Sequence, residues 1–320
     1  MEMGHLPARL AGFEDVTPIP QEDGDNPVVS IAYPHNYTVA SDYLRAFQAS
    51  GEMSERALAI TRFVLEFNPS HYTAWWFRRR IIFALGIDLD IELQTASEIA
   101  GDNPKNYQVW YHRRALAERR GNCGHEMDYV NQVLSEDPKN YHAWAHRQWL
   151  LQQFKTLEKE EGRRAELDEI DKLLRQDLRN NSVWNHRWFV LHSTLGSEPL
   201  SDEEVRNELS YALDYVEKAP SNESPWNYVR GFFRTCQRTY ADFPEVQDRV
   251  SKLQKTDAGV KSPHLHGLLA DIYEQEGTEE TINEAINVIQ HLRDDLDVIR
   301  AKYWEGRLKI ATRRLEYIVC

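Results

Sequence analysis

The chain has 320 residues, 41% of them hydrophobic and 28% charged, with a net charge of −13. A body this acidic is not steered onto nucleic acid by its net field, and no apolar run reaches the roughly 18 residues a membrane span needs. Cys123, Cys236 and Cys320 are too scattered for a disulfide frame, and Met1-Glu-Met-Gly-His lacks the basic and apolar regions of a secretory signal, so a cytoplasmic location is expected.

Residues 1–30 form the expected N-terminal arm, extended or poorly ordered, since Pro, Gly, Asp and Glu dominate it without periodicity. A single helical-repeat domain is expected over 31–320. Ser41–Phe67 reads as helical with a break at Gly51. Asn68-Pro-Ser-His-Tyr-Thr-Ala-Trp75-Trp-Phe-Arg78 then opens a unit that returns along the chain. Its copies are Asn103-Pro-Lys-Asn-Tyr-Gln-Val-Trp110-Tyr-His-Arg113, Asp137-Pro-Lys-Asn-Tyr-His-Ala-Trp144-Ala-His-Arg147 and Asp177-Leu-Arg-Asn-Asn-Ser-Val-Trp184-Asn-His-Arg187. Looser copies surround Trp226 and Trp304. Phased on Pro34, Pro69, Pro104, Pro138, Leu178, Pro220, Pro263 and Val298, the spacings are 35, 35, 34, 40, 42, 43 and 35. Periods of this length signal stacked helical hairpins.

Ile87–Ala100, Met127–Ser135, Ala165–Gln176 and Glu203–Lys218 read as the first helices of successive pairs. Thr156–Arg164 and Gly196–Asp202 read as the linkers that lengthen two spacings. Tyr240–Ser262 reads as a helix with a Pro-marked turn, and Glu279–Leu292 and Val298–Tyr317 close the stack. No segment alternates at period two long enough for a strand. The expected fold is all-α, a right-handed α-α superhelix: a crescent solenoid of tetratricopeptide-like hairpins.

Each copy is a loop feeding a helix. The residue before proline is pushed out of the α region, and Asn106 and Asn140 suit the N-cap that follows. Tyr, Trp and later apolar residues should share one face, with Trp110 and Arg113 adjacent on it. Trp75, Trp110, Trp144, Trp184, Trp226 and Trp304 should then occupy equivalent buried positions, each indole with a cation against it.

Residues 68–190 hold 18 basic and 18 acidic side chains, so the middle is the relatively basic part of an acidic chain. Within it the residue after each phasing position is Lys105, Lys139 and Arg179. A cation beside a helix N-terminus attracts phosphate-like anions, although a solvated loop lysine is the plainer reading of each one. Successive copies stand on the order of 10–20 Å apart, so one lysine would meet an anion and the others a partner. His112, His146 and His186 recur too far apart for shared metal ligation and read as structural. Gly121-Asn-Cys-Gly-His125 offers one Cys and one His only. No Gly-rich phosphate loop or nucleophile–base motif occurs. The residues alone give a helical-repeat scaffold with an anion-attracting middle.

Four stretches make the chain resemble the α-subunit of protein farnesyltransferase and geranylgeranyltransferase type I. They are Asp42-Tyr-Leu-Arg-Ala-Phe, Tyr72-Thr-Ala-Trp-Trp-Phe-Arg-Arg, the Lys105 and Lys139 copies, and Arg179-Asn-Asn-Ser-Val-Trp-Asn-His-Arg. The resemblance spans about Ile31 to Arg314. It implies an enzyme active only as an obligate heterodimer with a β-subunit, moving a farnesyl or geranylgeranyl group from its diphosphate to the cysteine of proteins ending in CaaX. It also implies that this chain alone binds no cofactor, with zinc held by the β-subunit and magnesium present in the complex. By resemblance Lys139 reaches the prenyl diphosphate with Tyr141 beside it, and Gln108 contacts the acceptor's C-terminal carboxylate. Arg147, Asn180 and Trp184 match sensitive family positions, for which packing and capping serve as well as chemistry; Lys105 and Arg179 are further supports. Cys320 is the last residue rather than fourth from the end, so the chain is not itself expected to be prenylated at its C-terminus. Two alternatives remain: the α-subunit of Rab geranylgeranyltransferase, which in animals carries extra domains, and a non-catalytic helical-repeat adaptor.

Overall fold

The computed structural model describes residues 12–29, 31–101, 105–193, 199–235 and 238–319. The chain divides into two compact units, Met1–Phe154 and Lys155–Cys320. The described residues contain helices, turns and loops, and no strand. Asn103, Pro104, Cys236 and Cys320, used in the sequence reading, lie outside the described residues.

The first unit holds α1 (His35–Ser50), α2 (Glu55–Phe67), α3 (Tyr72–Leu85), α4 (Leu89–Ala100), α5 (Tyr107–Arg120), α6 (Glu126–Glu136) and α7 (Tyr141–Gln153). The helix-to-loop punctuation follows the sequence. Asn106 and Asn140 cap α5 and α7, their side-chain oxygens accepting the Gln108 N–H at 2.9 Å and the His142 N–H at 3.0 Å. Gly51, Gly86 and Gly121 close α1, α3 and α5 in the left-handed conformation, where a side chain is strained. Before α1, Phe13 packs edge-on to Tyr43 and Phe47. Arg56 grips Asp15 through two contacts of 2.7 and 2.8 Å.

The second unit holds α8 (Glu160–Gln176), α9 (Asn181–His192), α10 (Asp202–Lys218), α11 (Glu223–Thr235), α12 (Pro244–Gln254), α13 (Asp257–Val260), α14 (Pro263–Glu276), α15 (Glu279–His291) and α16 (Ala301–Val319). Here the linker reading of Thr156–Arg164 is corrected. Thr156–Glu158 is a short 3-10 turn and α8 already starts at Glu160. Glu160 and Glu161 at its first turn favour the helix dipole, so the charge that suggested a solvated linker is a helix-start signal. The helix-plus-turn read over Tyr240–Ser262 is a 3-10 turn at Tyr240–Asp242 followed by α12 and α13. In the first unit, α1 begins at His35, directly after Pro34, rather than at Ser41.

The tryptophans mark equivalent buried positions. Trp75, Trp110, Trp144, Trp184, Trp226 and Trp304 are all buried. Each indole takes on the order of 200 Å² out of water, worth at most about 5 kcal/mol. The buried N–H must also find an acceptor. It donates to the carbonyl six residues upstream: Trp75 to Pro69 at 2.8 Å, Trp144 to Pro138 at 2.9 Å, Trp184 to Leu178 at 3.2 Å and Trp226 to Pro220 at 2.8 Å. Trp304 uses the Asp297 carboxylate instead, at 2.8 Å. The loop and its helix are thereby tied at these five copies.

The expectation that Tyr shares the Trp face is overturned. Tyr72, Tyr107 and Tyr141 are 71%, 69% and 71% exposed. Each is the first residue of its helix, and a helical side chain leans toward the N-terminus, so these rings project past the packed layer into solvent.

Candidate functional site

The exposed tyrosines, with the lysines two residues before them, line the N-terminal ends of α5 and α7. Lys105 and Lys139 are both exposed. Asp137, in the loop before α7, links them. Its Oδ2 stands 3.2 Å from Lys105 Nζ, and its Oδ1 accepts the Lys139 backbone N–H at 3.3 Å. His142 sits between the two helix ends, its ring edge-on to Tyr107 at 4.2 Å and to Tyr141 at 5.5 Å. Burial, then the Lys105 charge, hold His142 below the usual histidine range. Gln108, half-buried, is the second residue of α5. The strip therefore brings Lys105, Tyr107, Gln108, Lys139, Tyr141 and His142 together at two helix N-termini, where orphan N–H groups and the helix dipole favour an anion. A ligand bound on so open a surface needs its other walls from elsewhere.

Other residues singled out by sequence lie deeper. Arg147 is buried, its Nη1–H donating to Asn131 Oδ1 at 2.6 Å. In the second unit Asn180 is a buried N-cap, accepting the Ser182 N–H at 3.0 Å, and Trp184 is a core indole. Arg179 is an exposed loop residue there.

Beneath the strip lies a ladder of buried carboxylates that inspection of motifs missed. Arg78 of α3 donates twice to Glu92 of α4 at 2.7 Å, and His112 of α5 meets the same carboxylate at 2.7 Å. One repeat on, Arg113 of α5 donates to Glu126 of α6 at 3.1 and 2.7 Å, and His146 of α7 meets it at 2.9 Å. The second unit repeats the device: Arg187 of α9 donates to Glu208 of α10 at 2.8 and 2.7 Å, and the Tyr228 hydroxyl of α11 donates to it at 2.7 Å. His186 meets Glu166 at 2.5 Å. A constant offset of 20 residues separates each Glu from its His or Tyr, a signal that was present in the sequence.

The cation expected against each indole is found at Trp304, where Arg307 stands 5.6 Å from the ring centroid, but the ladder corrects the partner of two other arginines. Arg113 and Arg187 stack 3.5 and 3.7 Å over Tyr129 and Tyr211 rather than over tryptophans; the tryptophans take the imidazoles, Trp75 against His112 at 4.6 Å and Trp110 against His146 at 5.2 Å. Burial pushes His112 down to about 4, against the pull of Glu92. Burial alone would raise Glu92 and Glu126, but their His and Arg partners bring both below the usual carboxylate range. In the Glu92 triad the third member, His112, is therefore a neutral donor beside an Arg⁺–Glu⁻ pair. Buried charges of this kind are tolerable only when paired and fully hydrogen-bonded.

A groove of about 890 Å³ runs over α4 and α6, lined by Asp90, Gln94, Arg113, His125, Asp128 and Glu136 among others; it belongs to these first helices and not to the lysine strip. Among the described residues no group of three or more His, Cys, Asp or Glu could hold a metal, and no helix is long and apolar enough to cross a membrane.

Comparison with known proteins identifies the repeat. The model of the protein prenyltransferase alpha subunit repeat matches residues 54–85, 89–120, 123–154, 163–194 and 205–236. A protein farnesyltransferase/geranylgeranyltransferase type-1 subunit alpha from Dictyostelium discoideum is 34% identical over 98% of this chain and 97% of its own length. The protein of the same name from Schizosaccharomyces pombe is 40% identical over 91% of this chain and 92% of its own. Among solved structures, Candida albicans protein geranylgeranyltransferase-I complexed with GGPP matches with a TM-score of 0.80 and 31% identity, covering 93% of this chain and 97% of that one.

Proposed function

The chain belongs to the protein prenyltransferase α-subunit family, and from that premise we propose that it is the α-subunit of a heterodimeric farnesyltransferase/geranylgeranyltransferase type I. The complex transfers a farnesyl or geranylgeranyl group from its diphosphate to the cysteine of a C-terminal CaaX sequence. A β-subunit closes the open strip, and residues 31–320 act as one repeat domain in the cytoplasm. Zinc and magnesium belong to the assembled complex and would supply thiol activation and diphosphate neutralisation. In this proposal the chain's own part is to bind and orient.

The observation that carries the reading is the placement of Lys105 and Lys139 in the loops feeding two adjacent helix N-termini, where Asp137 pairs with the Lys105 ammonium and accepts the Lys139 backbone N–H. In prenyl transfer the carbon–oxygen bond stretches and negative charge grows on the departing diphosphate. A lysine held beside a helix N-terminus gains most where that charge develops. Lys139, with Tyr141 beside it, meets the leaving group in this proposal. Gln108 offers a neutral amide N–H to the acceptor's carboxylate. Arg147, Asn180 and Trp184 support through packing and capping, and Arg179 faces the partner.

The test is single-turnover kinetics of the assembled heterodimer. Lys139→Ala should slow transfer by roughly 10²–10³, the range for loss of one preorganised donor, with much less effect on prenyl diphosphate binding. Lys105→Ala is measured alongside. A full loss at Lys105→Ala with Lys139→Ala near wild type moves the contact one repeat toward the N-terminus, into the loop that feeds the helix carrying Gln108. Wild-type rates in both variants would remove the diphosphate role from this chain.

A further inference from the structure

Helix α16 is rolled relative to its counterparts. In four other copies the residue before the tryptophan and the one six after it are packed inside: Ala74 and Ile81, Val109 and Leu116, Ala143 and Leu150, and Val183 and Val190 are each at most 2% exposed. In α16 the same positions are Tyr303 and Ile310, 52% and 67% exposed. The arginines show why. Arg78, Arg113 and Arg187 stand three after their tryptophans and reach a carboxylate on the following helix, Glu92, Glu126 and Glu208. Arg307, three after Trp304, turns back instead to Asp271 of α14 at 2.8 Å. The Trp304 ring occupies the space that a side chain at Gly267 of α14 would need. With that edge folded inward, the face that other copies bury is turned to solvent. It carries Tyr303, Ile310 and Tyr317 at seven-residue spacing, which aligns them along one side of a helix, and Tyr317 is 85% exposed.

Cations flank this stripe. From Val298 to Val319 the chain has six Lys or Arg and two Glu, a local charge of +4 in a chain of −13. Lys302 and Lys309 directly precede Tyr303 and Ile310, and Arg313 and Arg314 stand one turn beyond Ile310; all four are exposed. Lys309 meets Glu305 at 2.9 Å with both side chains mostly in water, so that pair holds it weakly. We propose that the outer face of α16 docks the assembled enzyme, reversibly, on an anionic lipid surface. Apolar rings with phenol tips suit the headgroup level of a bilayer, and the ammonium and guanidinium groups beside them suit anionic lipid. A partner helix would want the stripe completed by apolar residues three positions on, where α16 has Gly306 and Arg313. Charge is screened within about 8 Å in physiological salt, so acid on remote parts of the chain does not cancel the basic helix. The docking does not depend on which lysine meets the diphosphate. Its use rests on the prenyl-transfer reading: the product carries an isoprenoid chain that partitions into bilayers, and docking places release beside its destination.

The experiment floats the assembled heterodimer with phosphatidylcholine vesicles, prepared with and without phosphatidylserine. Binding is expected with phosphatidylserine and should fall away as salt is raised to about 0.5 M. Lys302→Gln combined with Arg313→Gln should weaken it about 10- to 30-fold, the share of two cations at an anionic surface. Ile310→Glu should weaken it by about 10-fold or more, since the apolar side chain no longer enters the interface. Lys252→Gln combined with Lys255→Gln, exposed cations of α12, should leave it unchanged. Prenyl transfer to a soluble peptide acceptor should run at the wild-type rate in all three variants, since none alters the strip. Absence of binding to phosphatidylserine vesicles overturns the proposal. So does binding that ignores Ile310→Glu, which is adsorption of charge alone, or an equal loss from the α12 variant. If Ile310→Glu fails to assemble with the β-subunit, or abolishes self-association of the heterodimer, the stripe is a protein interface and the proposal is overturned equally. Failure of the site reading shows elsewhere, as wild-type rates in both Lys139→Ala and Lys105→Ala, and leaves vesicle binding untouched.

Discussion

The Arg113–Glu126–His146 triad of the first unit and the Arg187–Glu208–Tyr228 triad of the second do one job with different chemistry. Both guanidiniums fork onto a buried carboxylate, and both carboxylates receive a third contact from the next helix, at 2.9 Å from His146 and 2.7 Å from Tyr228. Both rings lean on the preceding tryptophan, at 5.2 Å for His146 on Trp110 and 5.3 Å for Tyr228 on Trp184. The position thus asks for a flat ring carrying one hydrogen-bond donor. Imidazole and phenol both satisfy it, so the recurrent histidines are packing elements rather than remnants of a metal site. What differs is titration. Burial and the Glu208 charge raise Tyr228 well above its ordinary value, which keeps it neutral at every working pH. An imidazole can gain a proton.

Removing a carboxylate tests what the triads share, and should give the largest effect. Glu208→Ala leaves Arg187 buried at 6% exposure with its strongest partner gone. Breaking a buried pair in this way costs about 3–5 kcal/mol. Urea unfolding should show a lower midpoint at unchanged slope. A loss below about 1 kcal/mol, the level of an exposed pair, would mean that Asp171, 3.1 Å from Arg187 Nη1, compensates the guanidinium by itself. Removing only the third contact sharpens the comparison. Tyr228→Phe keeps the ring stack and the Arg187 fork but deletes a donor to a charged group, so about 1.5–3 kcal/mol should be lost. If Tyr228→Phe proves as damaging as Glu208→Ala, the hydroxyl rather than the guanidinium holds the carboxylate.

These triads also show what was legible in the sequence. The tryptophan phase and the Asn106 and Asn140 caps could be read directly, because a buried indole and an N-cap each depend on residues a few positions away. The start of α8 was misread, since Glu160 and Glu161 look alike in a linker and in a first turn. The carboxylate rungs were missed because their partners lie 13–21 residues away on other helices, beyond any local motif. Lys105 and Lys139 were each visible, yet the loop contact through Asp137 that brings them together depends on how consecutive repeats stack. The exposure of Tyr107 and Tyr141 went unread because helical periodicity ignores which end of a helix a residue occupies.

Acid should separate the His and Tyr versions of the triad. His112 falls from 6.5 to about 4 on folding, so below pH 6.5 the unfolded chain takes up a proton that the folded one refuses. Its contribution is complete above pH 6.5 and is lost as pH falls toward 4, at up to about 1.4 kcal/mol per pH unit. The lowered Glu92 acts in the same direction, its contribution being lost as acid protonates it. Amide exchange in α3–α5 should therefore accelerate between pH 6.5 and 4, after correction for intrinsic rates. Replacing His112 by Tyr, the residue used in the second unit, should flatten that dependence. An unchanged pH profile in His112→Tyr would place the acid sensitivity elsewhere.

The smallest effect is expected at the surface, where the strip is held by Lys105 and Asp137. Their charges meet at 3.2 Å with Lys105 Nζ largely in water, so the pair gains little Coulomb energy and restrains a long side chain. Lys105→Ala should change stability by less than about 1 kcal/mol. Asp137→Ala should exceed it modestly, because Asp137 Oδ1 also accepts the Lys139 N–H at 3.3 Å and holds the loop before α7. Asp137→Asn then separates the two roles, since an amide oxygen can still accept that N–H but carries no charge. If Asn restores the stability lost in Ala, the loop turn is what Asp137 supplies and the ion pair is incidental. Lys105 would then be free to turn toward an incoming anion without loosening the fold. Should Asn behave like Ala, the charge itself orders the loop, and raising salt from 0.05 to about 0.5 M should weaken the wild type toward the mutant. The buried Glu126 triad, shielded from ions, should not respond to that change.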